Sequence, residues 1–283
     1  MRSLILTLFA CGLLASEQAP LVFALKPDKN PEAMAAERQE LARALSQALA
    51  RPVQVIVPLS AAVIATGFSN GTIDAAHLSA TDLARELDKD AAPVAQARLA
   101  VLVKGRTWYE SVWLCRADRP YRSIADLAGK PVAFASKTST SGCIIPLFDL
   151  QQRGLLAPGS GPQAFFGEVF YGTGYVSAVE RVLDGSAEAA AVSDYVYEGD
   201  KHLTAQQKAQ LRVLQRQGPV PSHVIALRRT WSPPEAEAMV QALSQLPPPL
   251  RDRVFGGPLQ AIDEREHLAP VRIALAAVRA MKL

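Results

Sequence analysis

Residues 132–146 read VAFASKTSTSGCIIP, and this stretch decides the fold because the pattern of the chain changes twice within it. Val132–Ala135 is an apolar run typical of a buried strand. Thr138–Gly142 is a polar turn rich in hydroxyl groups, and it opens a helix that we expect to reach about Gln152. Strand, turn and helix in this order form one unit of an α/β protein.

Similar units precede and follow this stretch. Short apolar runs alternate with helical patterns in the first hundred residues, and we expect strands there at Leu21–Leu25, Val53–Val57 and Ile73–His77. A helix of this first series is expected to end at Asn70-Gly71. A second series of strands and helices occupies about residues 108–217, and it includes a short helix ending at Gly129 and a strand at Phe165–Tyr171. The chain then returns through a strand at His223–Leu227 into a helical end. The sequence therefore predicts an α/β fold of two lobes joined by two crossovers. The first lobe comprises residues 20–107 and 220–283, and the second comprises residues 108–219.

The first sixteen residues have the pattern of a signal peptide. Arg2 precedes an apolar run, Leu4–Ala15, that is too short to span a bilayer. We therefore expect residues 1–16 to be removed on export. Export would place Cys115 and Cys143 in an oxidising compartment, where they could pair or remain free thiols.

Composition excludes several classes of protein. The chain has 283 residues, of which 49% are hydrophobic, so it is not disordered. Its 30 basic and 27 acidic residues are dispersed, and this balance argues against nucleic-acid binding. The cysteines and histidines lack metal-ligand spacing, and no Walker or SxxK motif is present. We expect no metal, no cofactor and no catalysis, with a secreted hydrolase or transferase as the distant alternative.

The hydroxyl-rich turn is the predicted functional site. Ser139, Thr140 and Ser141 stand directly before Gly142 at the start of a helix. Glycine allows a close approach of the backbone to a ligand, and the first amides of a helix lack acceptors within it. Hydroxyls beside such amides form an almost uncharged cradle for a tetrahedral oxyanion. The simpler interpretation is a helix N-cap, although one cap does not need a whole run of hydroxyls.

Several segments in order resemble one known family. They are Asn70–Ala76 (NGTIDAA), Ser123–Ala135 (SIADLAGKPVAFA), Ser139–Gly142 (STSG), Tyr171–Tyr195 and Pro219–Ile225. Together they make the chain similar to the phosphonate, phosphite and phosphate solute-binding proteins of ABC importers. The resemblance implies a type 2 periplasmic-binding fold with the ligand cleft between the lobes. It also implies a monomer that captures a small oxyanion and presents it to a membrane permease, with no covalent chemistry.

The resemblance also implies roles for individual residues. Ser139, Thr140 and Ser141 match the hydroxyls that hold the ligand's oxygens, and Tyr109 falls near a tyrosine that faces the ligand. Asp194 matches an acidic residue that accepts the ligand's protonated oxygen. Such an acceptor would favour protonated oxyanions over sulfate.

Three further positions belong to the predicted site. Tyr175 stands where the family usually has a histidine. Ser79 follows a strand of the first lobe at its carboxyl end, where α/β clefts bind ligands. Cys143 directly follows the STSG run, and arsenite-sensing relatives use a cysteine, because thiolates favour soft centres. Cys143 is therefore either a packing residue or the ligand of an arsenite-type sensor that signals to a membrane histidine kinase.

Overall fold

The computed structural model describes residues 19–26, 32, 34–87 and 93–283. The predicted signal peptide, residues 1–16, lies outside this part of the chain. The strands form two sheets, and we call the part of the molecule built on each sheet the first and the second lobe. The first sheet contains β1 (Leu21–Ala24), β2 (Val53–Ile56), β3 (Ala75–Leu78), β4 (Ala95–Val101), β10 (Val224–Arg228) and β11 (Leu259–Ala261).

The first sheet has the strand order β11-β4-β10-β3-β1-β2. Strand β1 pairs in parallel with β2 and β3, whereas the returning strand β10 lies antiparallel between β3 and β4. The helices assigned to this part of the chain are α1 (Ala35–Leu49), α2 (Ala61–Asn70), α3 (Ala80–Leu87), α8 (Pro233–Ser244), α9 (Pro248–Phe255) and α10 (Glu264–Val278). Leu41 and Leu45, one turn apart on α1, are fully buried in the core beside the sheet.

The second sheet contains β5 (Trp108–Arg116), β6 (Val132–Phe134), β7 (Val169–Tyr171), β8 (Ala189–Ser193) and β9 (Leu211–Pro221). Its order is β7-β6-β8-β5-β9, with β6 parallel to both neighbours and β5 antiparallel to β8 and β9. Its helices are α4 (Ile145–Gln152), α5 (Tyr175–Leu183), α6 (Asp194–Glu198) and α7 (Ala205–Ala209). The parallel strands β6, β7 and β8 end at one edge of the sheet, and the loops that leave this edge carry most of the predicted site.

Two short crossovers lie side by side between the sheets. Residues 102–107 lead from β4 to β5, and residues 222–223 lead from β9 to β10. The amide of Ser222 donates to the carbonyl of Thr107 at 3.0 Å, and the amide of Val101 donates to the carbonyl of His223 at 2.8 Å. The backbone thus ties the two crossovers together.

Helix α10 contacts both lobes. Near its start, Glu264 accepts a hydrogen bond from the amide of Ala97 in β4 at 2.6 Å. Further along, Ala274 and Val278 are buried in the core of the second lobe. The sequence-based division placed residues 220–283 with the first lobe, whereas the last turns of α10 pack against the second.

Two departures from the expected elements have a clear physical reason. The apolar run Phe165–Tyr171 suggested one strand, but only Val169–Tyr171 forms β7. Phe166 is buried against Trp113 and Phe134, so core packing accounts for its apolar character. Strand β11 was not expected in the helical C-terminal part, because its three residues carry no strand pattern. It lies at the edge of the first sheet and pairs with β4.

Candidate functional site

The hydroxyl-rich turn leaves the carboxyl end of β6 and enters a helix. Thr140–Ile144 form a turn of π-helix that continues into α4. Ser139 is its N-cap, and its hydroxyl accepts a hydrogen bond from the amide of Gly142 at 3.0 Å. The N-cap interpretation therefore holds for Ser139, while the next two hydroxyls have other partners.

Ser141 lies at the centre of the site. Its hydroxyl oxygen is 2.9 Å from the phenol oxygen of Tyr175 and 2.7 Å from the hydroxyl oxygen of Ser193. Tyr175 begins α5, and Ser193 ends β8. We call Ser141, Tyr175 and Ser193 the hydroxyl cluster. These three groups can all donate as well as accept, so the cluster can turn its protons toward an anion.

A second layer of hydrogen bonds fixes the backbone of this cluster. The hydroxyl of Ser111 in β5 donates to the carbonyl of Ser141 at 2.6 Å. The side-chain amide of Gln217 in β9 donates in turn to the hydroxyl of Ser111 at 2.7 Å. Ser111 and Gln217 are both buried, so the position of Ser141 is set by the interior of the sheet.

Aromatic rings enclose the cluster. The ring of Tyr195 lies 5.3 Å from that of Tyr109 and 6.1 Å from that of Tyr175, and the ring of His202 lies 6.0 Å from Tyr195. Burial, reinforced by Tyr175, raises the pKa of Tyr109 and of Tyr195 above the ordinary value. Both phenols are therefore protonated at neutral pH and remain hydrogen-bond donors.

Asp194 lies beside the cluster, with its carboxylate already engaged. It is 2% exposed and accepts a hydrogen bond from the amide of Tyr195 at 2.8 Å. Its other oxygen lies 3.5 Å from the ammonium of Lys104 in the first crossover. The resemblance implied an acceptor for the ligand's proton at this position, and the structure adds a cation to that carboxylate.

The first lobe reaches the site through Thr81. The hydroxyls of Thr81 in α3 and Thr140 are hydrogen-bonded to each other across the lobes, and both residues are buried. Ser79, which was predicted to be a site residue of the first lobe, caps the start of α3. Its hydroxyl donates to the carboxylate of Asp82 at 2.7 Å and accepts from the amide of Asp82 at 3.0 Å.

Gly142 allows the turn to pack closely against the second sheet. A Cβ atom at this position would lie 2.4 Å from the Cβ of Ala135 and 3.2 Å from the carbonyl oxygen of Ala191. The missing side chain therefore lets the turn lie directly against Ala135 and β8.

Cys143 points into the apolar core of the second lobe. It is fully buried there, and burial raises the pKa of its thiol to about 12. Cys115 is also buried, and both cysteines are free thiols. A protonated thiol without access to solvent is a poor ligand for a soft metalloid.

Metal clusters, membrane spans and grooves offer no second location for the predicted site within the described ranges. No group of three or more histidine, cysteine, aspartate or glutamate side chains there could hold a metal ion. None of the helices described is long and apolar enough to cross a membrane. A groove of about 380 Å³ lies beside the crossovers, lined in part by Trp108, Pro219 and His267, and it includes none of the predicted site residues.

The structure thus brings Tyr109, Tyr175 and Ser141 together, with Ser139 and Thr140 on the same turn. It adds Ser193, Tyr195, Ser111, Gln217, Thr81 and Lys104, which were not predicted to be site residues. Ser193 had a usable signal, since it is the hydroxyl residue at the end of a buried strand. The long-range contacts of Ser111, Gln217 and Thr81 had none.

The comparisons with known proteins agree with this architecture. The sequence model of a family described as the periplasmic substrate-binding proteins of phosphonate ABC transporters matches residues 23–255. A Xanthomonas citri protein solved bound to ATP superposes with a TM-score of 0.77 at 18% identity, covering 93% of this chain and 98% of that one.

Two further solved structures have similar scores. PhnD1 from Prochlorococcus marinus, solved with methylphosphonate, gives a TM-score of 0.72 at 15% identity over 92% of this chain and 98% of that one. A binding protein of an ABC phosphonate transporter from Pseudomonas aeruginosa gives 0.70 at 15% identity over 93% of this chain and 88% of that one. At these identities the likeness concerns the fold, and it confirms the predicted two-lobed α/β architecture.

Proposed function

This chain belongs to the family of periplasmic substrate-binding proteins of phosphonate ABC transporters, and from that premise we propose that its hydroxyl cluster captures a small tetrahedral phosphorus oxyanion. The ligand classes are phosphonate, phosphite and phosphate. The family consists of binding proteins and not enzymes, so capture, closure and delivery are the functions to explain.

One observation carries this proposal. Three hydroxyls from three separate elements, those of Ser141, Tyr175 and Ser193, meet within hydrogen-bond distance at the carboxyl edge of the second sheet. An oxyanion placed among them would accept from several neutral donors at once. Neutral donors in a water-poor cleft discriminate between oxyanions by the number and position of the protons that each oxyanion carries.

Closure of the two lobes would complete the site. Thr81 already meets Thr140 across the lobes, so the first lobe contacts the same turn that carries Ser141. A hinge at the paired crossovers would let the lobes open for entry and close over the ligand. We propose the lobe boundaries given above, 20–107 with 220–283 and 108–219, and a monomer that is exported by means of residues 1–16.

The partner that fits this function is the permease of a phosphonate importer. The alternative, an arsenite-type sensor that signals to a histidine kinase, depends on Cys143 as a ligand. The burial of that thiol and its raised pKa favour the importer.

Thermal unfolding against a ligand panel tests the proposal. The panel is methylphosphonate, phosphite, phosphate, sulfate, arsenate and arsenite. A ligand at 100 times its dissociation constant stabilises the folded protein by about 2.7 kcal/mol, which raises Tm by several degrees. We expect this shift with at least one phosphorus oxyanion and none with sulfate or arsenite.

The variant Cys143→Ser distinguishes the importer from the arsenite-type sensor. We expect it to keep the ligand-induced shift while losing some intrinsic stability, because a hydroxyl replaces a thiol in the core. Cys115→Ser, at the other buried thiol, is the matched control. A shift with arsenite alone that disappears in Cys143→Ser would replace the importer by the sensor. No shift with any phosphorus oxyanion, once co-purified ligand is excluded, would refute the proposed function.

A further inference from the structure

The first crossover carries a tight turn whose lysine contacts helix α6. Val103 and Arg106 exchange two backbone hydrogen bonds, of 2.8 and 3.1 Å, around Lys104 and Gly105. Lys104 adopts a left-handed backbone with φ of +52°, and Gly105 follows with +76°. A lysine rarely adopts this conformation, and here it stands at the tip of the turn.

Lys104 binds two carboxylates on helix α6. Its ammonium lies 3.5 Å from Asp194 and is hydrogen-bonded to Glu198. These residues are four apart, so their side chains share one face of the helix, where two like charges repel each other. Asp194 is almost completely buried, and a buried carboxylate without a cation is costly. Lys104 offsets both effects.

The two carboxylates depend on Lys104 to different degrees. Glu198 also accepts a hydrogen bond from Arg216 at 2.5 Å, and Arg216 pairs in turn with Glu110 at 2.9 Å. Among the residues that the structure describes, Lys104 is the one cation within ion-pair distance of Asp194. The hydrogen bond with Glu198, aided by the charge of Asp194, raises the pKa of Lys104, so the ammonium is charged at neutral pH.

Asp194 stands in the chain between two residues of the proposed site. Asp194 directly follows Ser193, whose hydroxyl contacts Ser141, and it precedes Tyr195 of the aromatic enclosure. An uncompensated carboxylate at this place would repel an oxyanion, and it would repel a doubly ionised one more strongly than a singly ionised one. The cation on Asp194 therefore bears on which form of the ligand can enter.

We propose that Lys104 is a positioning residue that, by holding and neutralising Asp194 from the first crossover, allows the hydroxyl cluster to accept the doubly ionised form of a phosphorus oxyanion. This inference rests on the proposed function and extends it to the charge of the ligand. It also connects the hinge to the site, because the turn that carries Lys104 belongs to the segment about which the lobes would move.

Titration calorimetry of Lys104→Gln tests this role. The probes are methylphosphonate, phosphite and phosphate, each measured at one pH below and one pH above its second ionisation. In the variant we expect the doubly ionised form to bind about tenfold more weakly than in the wild type, whereas the singly ionised form changes little. Lys104→Arg, which keeps the charge, should restore the wild-type ratio of affinities.

Two further variants sharpen the test. The Arg216→Gln variant lacks a cation beside Glu198 but keeps Lys104 beside Asp194. This variant should bind both ionisation forms as the wild type does. The double variant Lys104→Gln/Asp194→Asn lacks both the ammonium and the carboxylate. We expect it to regain affinity for the doubly ionised ligand. Circular dichroism and thermal unfolding establish that each variant is folded, and the double variant carries the test if Lys104→Gln alone does not fold.

The outcomes separate this inference from the proposed function. Wild-type binding with an unchanged ratio of affinities in Lys104→Gln would overturn the inference and leave the function standing. Equal losses for both ionisation forms, not restored in Lys104→Arg, would mean that Lys104 is merely structural and would also overturn it. A double variant that still rejects the doubly ionised form counts against the inference as well. A wild-type protein that binds none of the three probes would refute the function and the inference together.

Discussion

At the scale of single residues, Ser141 is the group on which the site depends. Its hydroxyl contacts Tyr175 and Ser193, and its carbonyl is held by Ser111. We expect Ser141→Ala to weaken binding of the phosphorus oxyanion at least tenfold. Removing one partner of a buried hydrogen bond leaves the other unsatisfied, which costs about 1–3 kcal/mol. Titration calorimetry measures the change.

Ser136→Ala is the matched control for this prediction. Ser136 belongs to the same loop, but its hydroxyl lies 3.5 Å from that of Thr138 and contacts no member of the hydroxyl cluster in the described structure. The Ser136→Ala variant should bind the phosphorus oxyanion with the affinity of the wild type. Equal affinities in Ser141→Ala and Ser136→Ala would remove Ser141 from the site.

The sequence singled out two of the three members of the hydroxyl cluster. Ser141 and Tyr175 were both expected, one from the hydroxyl run and one from the family's pattern, and the structure brings them within 2.9 Å. Ser79 was expected from its position at a strand end, yet its hydroxyl is used by its own helix start. A sequence pattern predicts at which end of a strand or helix a residue lies. The hydrogen-bond partner of its side chain depends on long-range packing that the pattern does not contain.

At the scale of elements, the turn between β6 and α4 depends on close packing against the sheet. A methyl group at Gly142 would lie 2.4 Å from the Cβ of Ala135. Overpacking of this kind costs about 1–3 kcal/mol. We therefore expect Gly142→Ala to lower Tm by several degrees, as measured by thermal unfolding.

Gly174→Ala is the control for overpacking. Gly174 precedes α5 in extended backbone, and a methyl group there would meet no atom within 4 Å. This variant should unfold close to the wild-type temperature. A Gly142→Ala protein as stable as Gly174→Ala would show that the turn can move away from the sheet.

The elements themselves were largely predictable, because their patterns are local. The alternation of apolar strands and amphipathic helices gave the α/β class, and the signals at Asn70-Gly71 and Gly129 marked helix ends that the structure contains or closely follows. Phe165 and Phe166 misled the strand assignment, because an apolar pair can serve the core without joining a sheet. Strand β11 was not predicted, because three residues are too few to show the alternation of apolar and polar residues that marks a strand.

At the scale of the whole molecule, His267 connects helix α10 to the second crossover. Its Nε2 lies 3.1 Å from the carbonyl oxygen of Ser222, which gives that carbonyl a donor. Burial lowers the pKa of His267 below its ordinary value of 6.5, although the hydrogen bond to Ser222 opposes the shift. The folded protein therefore favours the neutral ring.

This shift predicts a pH dependence of stability. As the pH falls through the ordinary pKa, the unfolded chain takes up a proton that folded His267 still resists, so the free energy of unfolding decreases. The loss continues until the pH passes the lowered pKa of the folded state. Chemical denaturation of the wild type and of His267→Gln between about pH 7.5 and 5.5 measures this contribution. We expect a smaller decrease in the variant, and identical decreases would contradict the assignment.

The most direct test of the account is a crystal structure of the protein with bound methylphosphonate. We predict that the phosphonate oxygens lie within hydrogen-bond distance of Ser141, Tyr175 and Ser193, with the lobes closed over the ligand. A phosphonate bound instead in the groove beside Trp108 and His267, with the hydroxyl cluster unchanged, would contradict the site proposed for this protein.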